Sequence, residues 1–496
     1  MFLKSLGAKI LAKKTAKKIQ KWASNPIETQ HKTFQNLITK AKETSFGKDH
    51  NFHTIKTHQD FVKHVPVRDY EDLKDYFKRT VNGEENVLWK GKPTYIAKTS
   101  GTTSGAKYIP ITKQSMPSHI EAAKNALLCY IEETGNVDFV NGKMIFLQGS
   151  PELELKNGIN IGRLSGIVAH FVPKYLQKNR LPSWETNCIV DWEAKVDAIV
   201  EETKNENMTL IAGIPSWVQM YYEKLQKASN RKVGDLFKNL QLFVYGGVNY
   251  EPYRAKFEEM IGRRIDSIEL YPASEGFFAF QDSQKEKGML LQLNSGIFYE
   301  FIEASKFYDE NPKRLIIGEV EIGVNYVMII STNAGLWGYN IGDMVQFTST
   351  KPYRVIVSGR IKHFISTFGE HVIGKEVEQA INEAMKEFQF SISEFTVAPQ
   401  TNPTKDELPY HEWLIEFQTA PKNLIEIAAF MDKSMQDQNT YYRDLIEGKV
   451  LQPLKISNLK EGSFNAYMKS QGKLGGQNKV PRLSDNRNIA DKLIGL

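Results

Sequence analysis

Apolar residues recur every three or four positions near the start of the chain, at Ala8, Leu11, Ala12, Ala16, Ile19 and Trp22. That spacing puts them on one face of an amphipathic helix with lysines opposite. The stretch MPSHIEAAKNALLCYIEET (116–134) predicts a second helix of about five turns. Further on the rhythm changes to short apolar runs, Lys143–Leu147, Leu210–Ala212, Leu240–Tyr245 and Asp266–Tyr271, with helical stretches Pro215–Ala228 and Pro252–Ile261 between some of them. Buried-looking runs alternating with helices predict an α/β domain with a largely parallel sheet. From about 290 to 358 strands follow one another directly (LLQLNSGIFYEFIE, RLIIGEVEIG, VNYVMIIST, MVQFTST, YRVIVSG), as in an antiparallel sheet or distorted barrel. Past Arg360 the chain begins again, with strands at Glu394–Val397 and Trp413–Phe417 and helices at Lys375–Phe388 and Asn423–Gln438. The expected organisation is a large N-terminal α/β domain over 1–359 and a small α+β domain over 360–496.

Composition narrows the class. The chain has 496 residues, 41% hydrophobic and 25% charged, the balance of a globular protein with sizeable cores and more than one domain. There is no uninterrupted apolar run of membrane-spanning length, and the basic N-terminus interleaves its apolar residues with lysines where a signal peptide needs a continuous apolar centre. The expected location is the cytoplasm. The net charge of +6 is concentrated in residues 1–21, which hold seven lysines and no acid, while the remainder is close to neutral. That distribution argues against a nucleic-acid partner and leaves open a weak membrane-surface contact through residues 1–22. Two cysteines, Cys129 and Cys188, make no disulfide framework and no Cys-x-x-Cys pair, and are expected to be structural thiols. The sequence HEWLI (411–415) places isoleucine where a zincin helix needs its second histidine.

The segment KTSGTTSGAKYIPIT (98–112) carries candidate chemistry: five hydroxyl side chains between Thr99 and Ser104, two glycines and two lysines. Glycines expose backbone N–H groups, hydroxyls donate, and lysine adds charge, a combination that suits an anion. It is not a Walker A loop, because three residues separate Gly101 from Gly105, Lys107 comes one position late, and Tyr108 stands where the metal-binding hydroxyl belongs. Four further clusters follow in order: Tyr245–Val248 with a glycine pair ending a strand, Tyr271–Glu275 ending another, Tyr339–Asp343 expected between two strands, and Ser358–Lys362 where the texture changes.

These clusters, in this order, resemble the adenylate-forming superfamily of acyl-CoA synthetases and luciferase, and more closely its GH3 branch of acyl-acid amido synthetases. The branch's phosphate loop, S-S-G-T-[ST]-x-G-x-x-K, is similar to Thr99–Lys107, with the lysine displaced by one. Its Y-x-x-S-E resembles Tyr271–Glu275, and its Y-R-x-G-D resembles Tyr339–Asp343 with Asn340 in place of arginine. GGQNKVPRL (475–483) is similar to its Q-x-K-x-P-R signature, so the likeness runs from about residue 45 almost to the end.

The resemblance implies a site. Ser100, Gly101, Thr102, Thr103, Ser104, Gly105 and Lys107 would hold the triphosphate of ATP, and Tyr271 with Gly246 and Gly247 opposite would enclose the adenine beside Ala273. Ser274 would touch the α-phosphate, Glu275 would bind Mg²⁺, Asp343 would take the ribose hydroxyls, and Arg360 would assist with ribose or phosphate. Lys479 would neutralise charge at the reacting carboxylate, and Lys362 would serve as the hinge of a mobile C-terminal domain. The implied activity is adenylation of a carboxylic acid followed by transfer of the acyl group to an amine, an amino acid being the expected acceptor. Two alternatives stay open: transfer to a thiol such as that of CoA, and a non-catalytic nucleotide-binding scaffold. The acid, the acceptor and the oligomeric state are not legible in the sequence.

Overall fold

The computed structural model describes residues 2–496 except 103–104, 172–177, 362–364, 366–369, 371, 402, 404–406, 420, 449, 475–478 and 485. Strands β1 (Tyr95–Thr102) and β2 (Gly105–Ile111) form an antiparallel hairpin in register Tyr95↔Ile111 to Thr99↔Lys107, then a shift, then Thr102↔Gly105. The described part of the hydroxyl segment therefore lies on the two arms of a hairpin, Thr99 to Thr102 on β1 and Gly105 to Ile111 on β2. After β3 (Lys143–Phe146) come two short strands, β4 (Glu154–Lys156) and β5 (Ile159–Gly162), which complete a four-stranded sheet in the order β2-β1-β5-β4.

The next strands build the parallel half of the main sheet: β6 (Arg180–Leu181), β7 (Met208–Ala212), β8 (Leu242–Gly246) and β9 (Asp266–Ala273). With β3 they run parallel in the order β6-β3-β7-β8-β9. Leu242, Phe243 and Val244 are buried in succession because both faces of such a sheet are covered. The helices Pro215–Ser229 and Glu251–Ile261 lie along the chain between these strands. The former starts with proline at its first position and ends on Asn230 at φ 53°, the usual punctuation of a helix.

At β9 the pairing changes hand. The strand β10 (Gly276–Phe280) returns antiparallel to β9, and β11 (Met289–Leu291), β12 (Ile297–Glu303), β13 (Leu315–Ile316), β14 (Asn325–Thr332), β15 (Tyr339–Thr350) and β16 (Tyr353–Arg360) extend the same twelve-stranded sheet to its far edge. The run RLIIGEVEIG contributes only the two residues of β13, since the chain turns at Gly318 with φ +106°. Tyr339–Asp343, expected between strands, is instead the first five residues of β15. Asn, Gly and Asp are depleted in strands, but here neighbouring backbone supplies the pairing: Asn340 N–H donates to the Arg68 carbonyl at 2.8 Å, and Arg68 N–H to that of Gly338 at 3.0 Å.

The N-terminal helix Phe2–Ala23 packs with Ala12 and Ile19, together with Trp22, against Ala122, Ala126 and Cys129 of the helix Met116–Thr134. Leu11, placed on that apolar face by the sequence, is 41% exposed. The helix Pro26–Ala41 is pinned to the sheet by the buried Gln30 side chain, which donates to the carbonyls of Leu293 (2.7 Å) and Ile297 (2.9 Å) and accepts from Tyr299 N–H.

Strands β17 (Ser391–Gln400), β18 (Tyr410–Thr419) and β19 (Lys455–Leu459) form a separate three-stranded sheet, β17-β18 antiparallel and β18-β19 parallel. Helices Gly374–Phe388 and Leu424–Gln438 pack on it around Phe395, Trp413, Ile381 and Met431. The HEWLI sequence lies in β18, where buried His411 pairs with Glu370 at 2.9 Å. The chain divides into two compact units, one of residues 1–248, 260–341 and 345–356, the other of 249–259, 342–344 and 357–496.

Candidate active site

In the first unit, the parallel pairing of β8 with β9 brings their carboxyl ends to the same side of the sheet, the edge at which open α/β sheets bind ligands. Gly246, the last residue of β8, sits opposite Leu270. A Cβ on it would meet the Leu270 carbonyl oxygen at 2.6 Å and Pro272 Cδ at 3.2 Å, so only glycine fits. Gly247 follows at φ +87°, the left-handed region open to glycine. The pair turns the chain away from the strand end while leaving backbone, not side chain, facing that edge.

Four residues along β9 from Leu270 the chain reverses. Ala273 pairs with Gly276, so Ser274 and Glu275 form a two-residue turn at the switch between parallel and antiparallel pairing. Tyr271 is buried and set edge-on to Phe278, ring centroids 5.1 Å apart. Ser274 is buried, Glu275 half-buried and Pro272 exposed, the stiffening proline facing away from the core. The sequence-predicted residues Gly246, Gly247, Tyr271, Ala273, Ser274 and Glu275 are thus brought to one end of two adjacent strands. Among the described residues no group of three or more His, Cys, Asp or Glu is assembled for a metal. A Mg²⁺ ion bound through phosphates and water needs only one or two carboxylates, and the single carboxylate of Glu275 fits that requirement.

The backbone of the β1–β2 hairpin is held from outside. Tyr108 N–H donates to Tyr70 Oη at 3.0 Å, and Lys107 Nζ lies 5.8 Å from the centroid of the same ring. Tyr70 was not singled out by sequence, because it stands in a polar stretch, RDYEDL, with no spacing rule. Thr103 and Ser104 lie outside the described residues, as does Lys362.

In the second unit, Asp343 on β15 and Arg360 at the end of the neighbouring β16 form an ion pair, Nε to Oδ1 2.9 Å, and Ile361 N–H donates to the Gly342 carbonyl at 2.8 Å. Asp343 is mostly buried while Arg360 is half exposed. Lys479 senses both. Dense packing around its ammonium lowers its pKa to about 8, with Asp343 opposing the fall and Arg360 adding to it. The Lys479 side chain keeps an exposed surface.

The fold is that of adenylate-forming enzymes. Across 98% of this chain it matches the acyl acid amido synthetase AtGH3.15 in complex with 2,4-DB (96% of that chain, TM-score 0.79, 16% identity). Across 94% it matches a 2-hydroxyisobutyryl-CoA ligase in the postadenylation state (92% of that chain, TM-score 0.58, 13% identity). Sequence likeness narrows the class: residues 15–188, 290–360 and 375–488 match the N-terminal, central and C-terminal domains of the GH3 family. Similar proteins include the jasmonoyl–L-amino acid synthetase JAR4 of Nicotiana attenuata, 22% identical over 93% of this chain and 92% of that protein. The indole-3-acetic acid-amido synthetase GH3.15 of Arabidopsis thaliana is 22% identical over 86% and 85%. This chain belongs to the GH3 family.

Proposed function

We propose that the protein adenylates a carboxylic acid with ATP and transfers the acyl group to an amine, an amino acid being the acceptor class. The observation that carries this is the arrangement of Gly246–Gly247 and Tyr271–Glu275 at the ends of β8 and β9, in a chain whose curated relatives are amido synthetases along nearly their whole length.

In the first half-reaction a carboxylate oxygen attacks the α-phosphorus, the bond to the bridging oxygen breaks, and pyrophosphate leaves. Two anions must meet: at ~4 Å and an effective dielectric of about 20, unit charges repel by ~4 kcal/mol. Mg²⁺, held by Glu275 and the phosphates, would supply charge neutralisation. Hairpin N–H groups and hydroxyls from Ser100 to Gly105, with Lys107, hold the triphosphate, and Ser274 donates at the α-phosphate. The Tyr271 ring and the Gly246–Gly247 backbone enclose the adenine. Asp343 accepts from the two ribose hydroxyls, for which an acceptor-only carboxylate is suited, and Arg360 gives up part of its hold on Asp343 to reach ribose or phosphate. Lys479 places its ammonium at the reacting carboxylate. In the second half the amine nitrogen attacks the acyl carbon, the bond to the phosphate oxygen breaks, AMP leaves and the amine loses a proton. Lys479 serves the first half only, so residues 360–496 change position between halves about the chain near Lys362.

Amine is preferred to thiol because the relatives matched along most of their length are named as amido synthetases. The exposed side of the N-terminal helix, with Leu6, Ile10 and Leu11 among its lysines, makes a weak contact with anionic membrane surfaces. The experiment is pyrophosphate release from ATP and Mg²⁺ across a panel of carboxylic acids, wild type beside Glu275→Ala. Acid-dependent release that falls by about 100-fold or more in the variant is expected. Product mass with mixed amino acids or CoA then identifies the acceptor. Silence of the wild type across the panel, with ATP still bound, would leave the scaffold reading standing.

A further inference from the structure

Lys479 is followed three residues later by Arg482, where the chain comes to lie beside β17 at Leu483. Val397 N–H donates to the Arg482 carbonyl (2.9 Å), Ser484 N–H to that of Val397 (2.9 Å), and Thr396 Oγ1 to that of Pro481 (2.7 Å). This fixes the backbone of 481–484 on the edge of β17. The Arg482 side chain, 11% exposed, then reaches three further elements of the same unit. Its guanidinium pairs with Glu394 of β17, stands 3.6 Å from Glu378 on the helix Gly374–Phe388, and donates from Nη2 to Tyr253 Oη at 3.1 Å. It also lies 4.7 Å over the Phe395 ring. The partners are themselves tied: Tyr253 Oη donates to Glu394 Oε2 (3.1 Å), and Asn249 Nδ2 to Glu378 Oε2 (2.9 Å).

Two of these partners, Asn249 and Tyr253, stand two and six residues beyond Gly247 in the chain, and Tyr253 belongs to the helix Glu251–Ile261. One guanidinium thus joins the stretch that carries Lys479 to the helix that follows the glycine pair. The fork pairs with Glu394 and Tyr253, lies over the Phe395 ring and has Glu378 at ion-pair distance, so this one side chain ties a stretch whose backbone is already fixed on β17 to two helices as well.

We propose that Arg482 is a positioning residue for Lys479. Held by Tyr253, Glu394 and Glu378, it keeps the lysine in place for adenylation and is not needed once acyl-AMP has formed. The inference rests on the adenylation reading above and adds to it a residue that sets the position of Lys479 within its own unit.

The test compares both half-reactions in the full-length protein for Arg482→Lys, Arg482→Ala and Tyr253→Phe. Tyr253→Phe removes one hydroxyl and keeps the ring, so it serves if Arg482→Ala does not fold. Acid-dependent pyrophosphate release is expected to fall about tenfold in Tyr253→Phe and up to about 100-fold in Arg482→Ala, in kcat more than in KM for ATP. Amide formation from preformed acyl-AMP should stay within about threefold of wild type, a split that a purely structural role would not produce. Arg482→Lys keeps the charge but loses the fork, and should fall between. If the wild type adenylates and the folded variants lose both halves alike, or neither, the positioning role is overturned and the adenylation reading stands. If the wild type releases no pyrophosphate with any acid, both fall together.

Discussion

At the scale of single residues, Gly246 shows how backbone spacing sets chemistry. An alanine there puts a methyl group 2.6 Å from the Leu270 carbonyl oxygen. Main chain in the middle of a twelve-stranded sheet cannot step aside, so β8 and β9 must part or the residue must shift. Overpacking of this kind typically costs about 1–3 kcal/mol, and Gly246→Ala should lower the urea midpoint by a corresponding amount. The same change should weaken ATP binding, measured by calorimetry, more than an equally destabilising change elsewhere in the sheet. A variant as stable and as tight-binding as wild type would show that the strand ends are softer than the geometry implies. The residues proposed for this site were singled out in the sequence by the glycine pair, Tyr-x-x-Ser-Glu and Gly-Asp, which are rare combinations, and the fold brings the first two of these motifs to one strand end. Tyr70 was not singled out, and Arg482, though part of the Q-x-K-x-P-R signature, was given no role. Their parts depend on which distant groups the fold brings to them, Tyr108 N–H in one case and Tyr253 in the other, and no local pattern encodes a partner 38 or 229 residues away.

At the scale of elements, periodicity located helices well and strand boundaries less so. The helix Met116–Thr134 was read to its ends because Pro117 and Gly135 punctuate it, the latter at φ +72°. The strand β15 was missed at its start because its first residues gain their pairing from Arg68, more than 270 positions earlier, against their own propensity. The helix Gly374–Phe388 carries a consequence for pH. Its Glu376 reaches back to accept from Ile373 N–H (3.0 Å) and from Asn439 Nδ2 (3.1 Å). Burial nonetheless raises its pKa from 4.5 to about 7, the two hydrogen bonds and Lys375 opposing. Between those values the unfolded chain has released a proton that the folded state still holds, so stability falls as pH rises from about 4.5 to about 7. Glu376→Gln should remove that slope. Urea midpoints at pH 5 and pH 7 check it: the difference between the two should shrink in the variant, and an unchanged difference would assign the slope to other groups.

At the scale of the whole molecule, the lysine-rich N-terminus is a structural member as well as a charged surface. Ala12 and Ile19 cover the helix Met116–Thr134, which itself packs on β9 and β10 of the main sheet. Removing residues 1–22 should therefore lower the melting temperature, while the double change Lys13→Glu with Lys17→Glu, both on exposed positions, should leave it nearly unchanged. Flotation with vesicles of neutral or anionic lipid separates the two roles. The full chain should float with anionic vesicles at low salt and the double variant should not. Equal flotation of both would mean that the lysines contribute only solubility.

The contact between Gly246 and the Leu270 carbonyl has a further consequence for descent. Most packing constraints join two side chains, and a change in one can be answered by a change in the other. Here the neighbour is a main-chain oxygen, present whatever residue occupies position 270. No substitution at 270 can relieve a larger residue at 246, so the position has few routes by which to drift. Lineages descending from this chain can exchange one acid for another by altering side chains elsewhere, but the strand end proposed to face the adenine is inherited whole or lost.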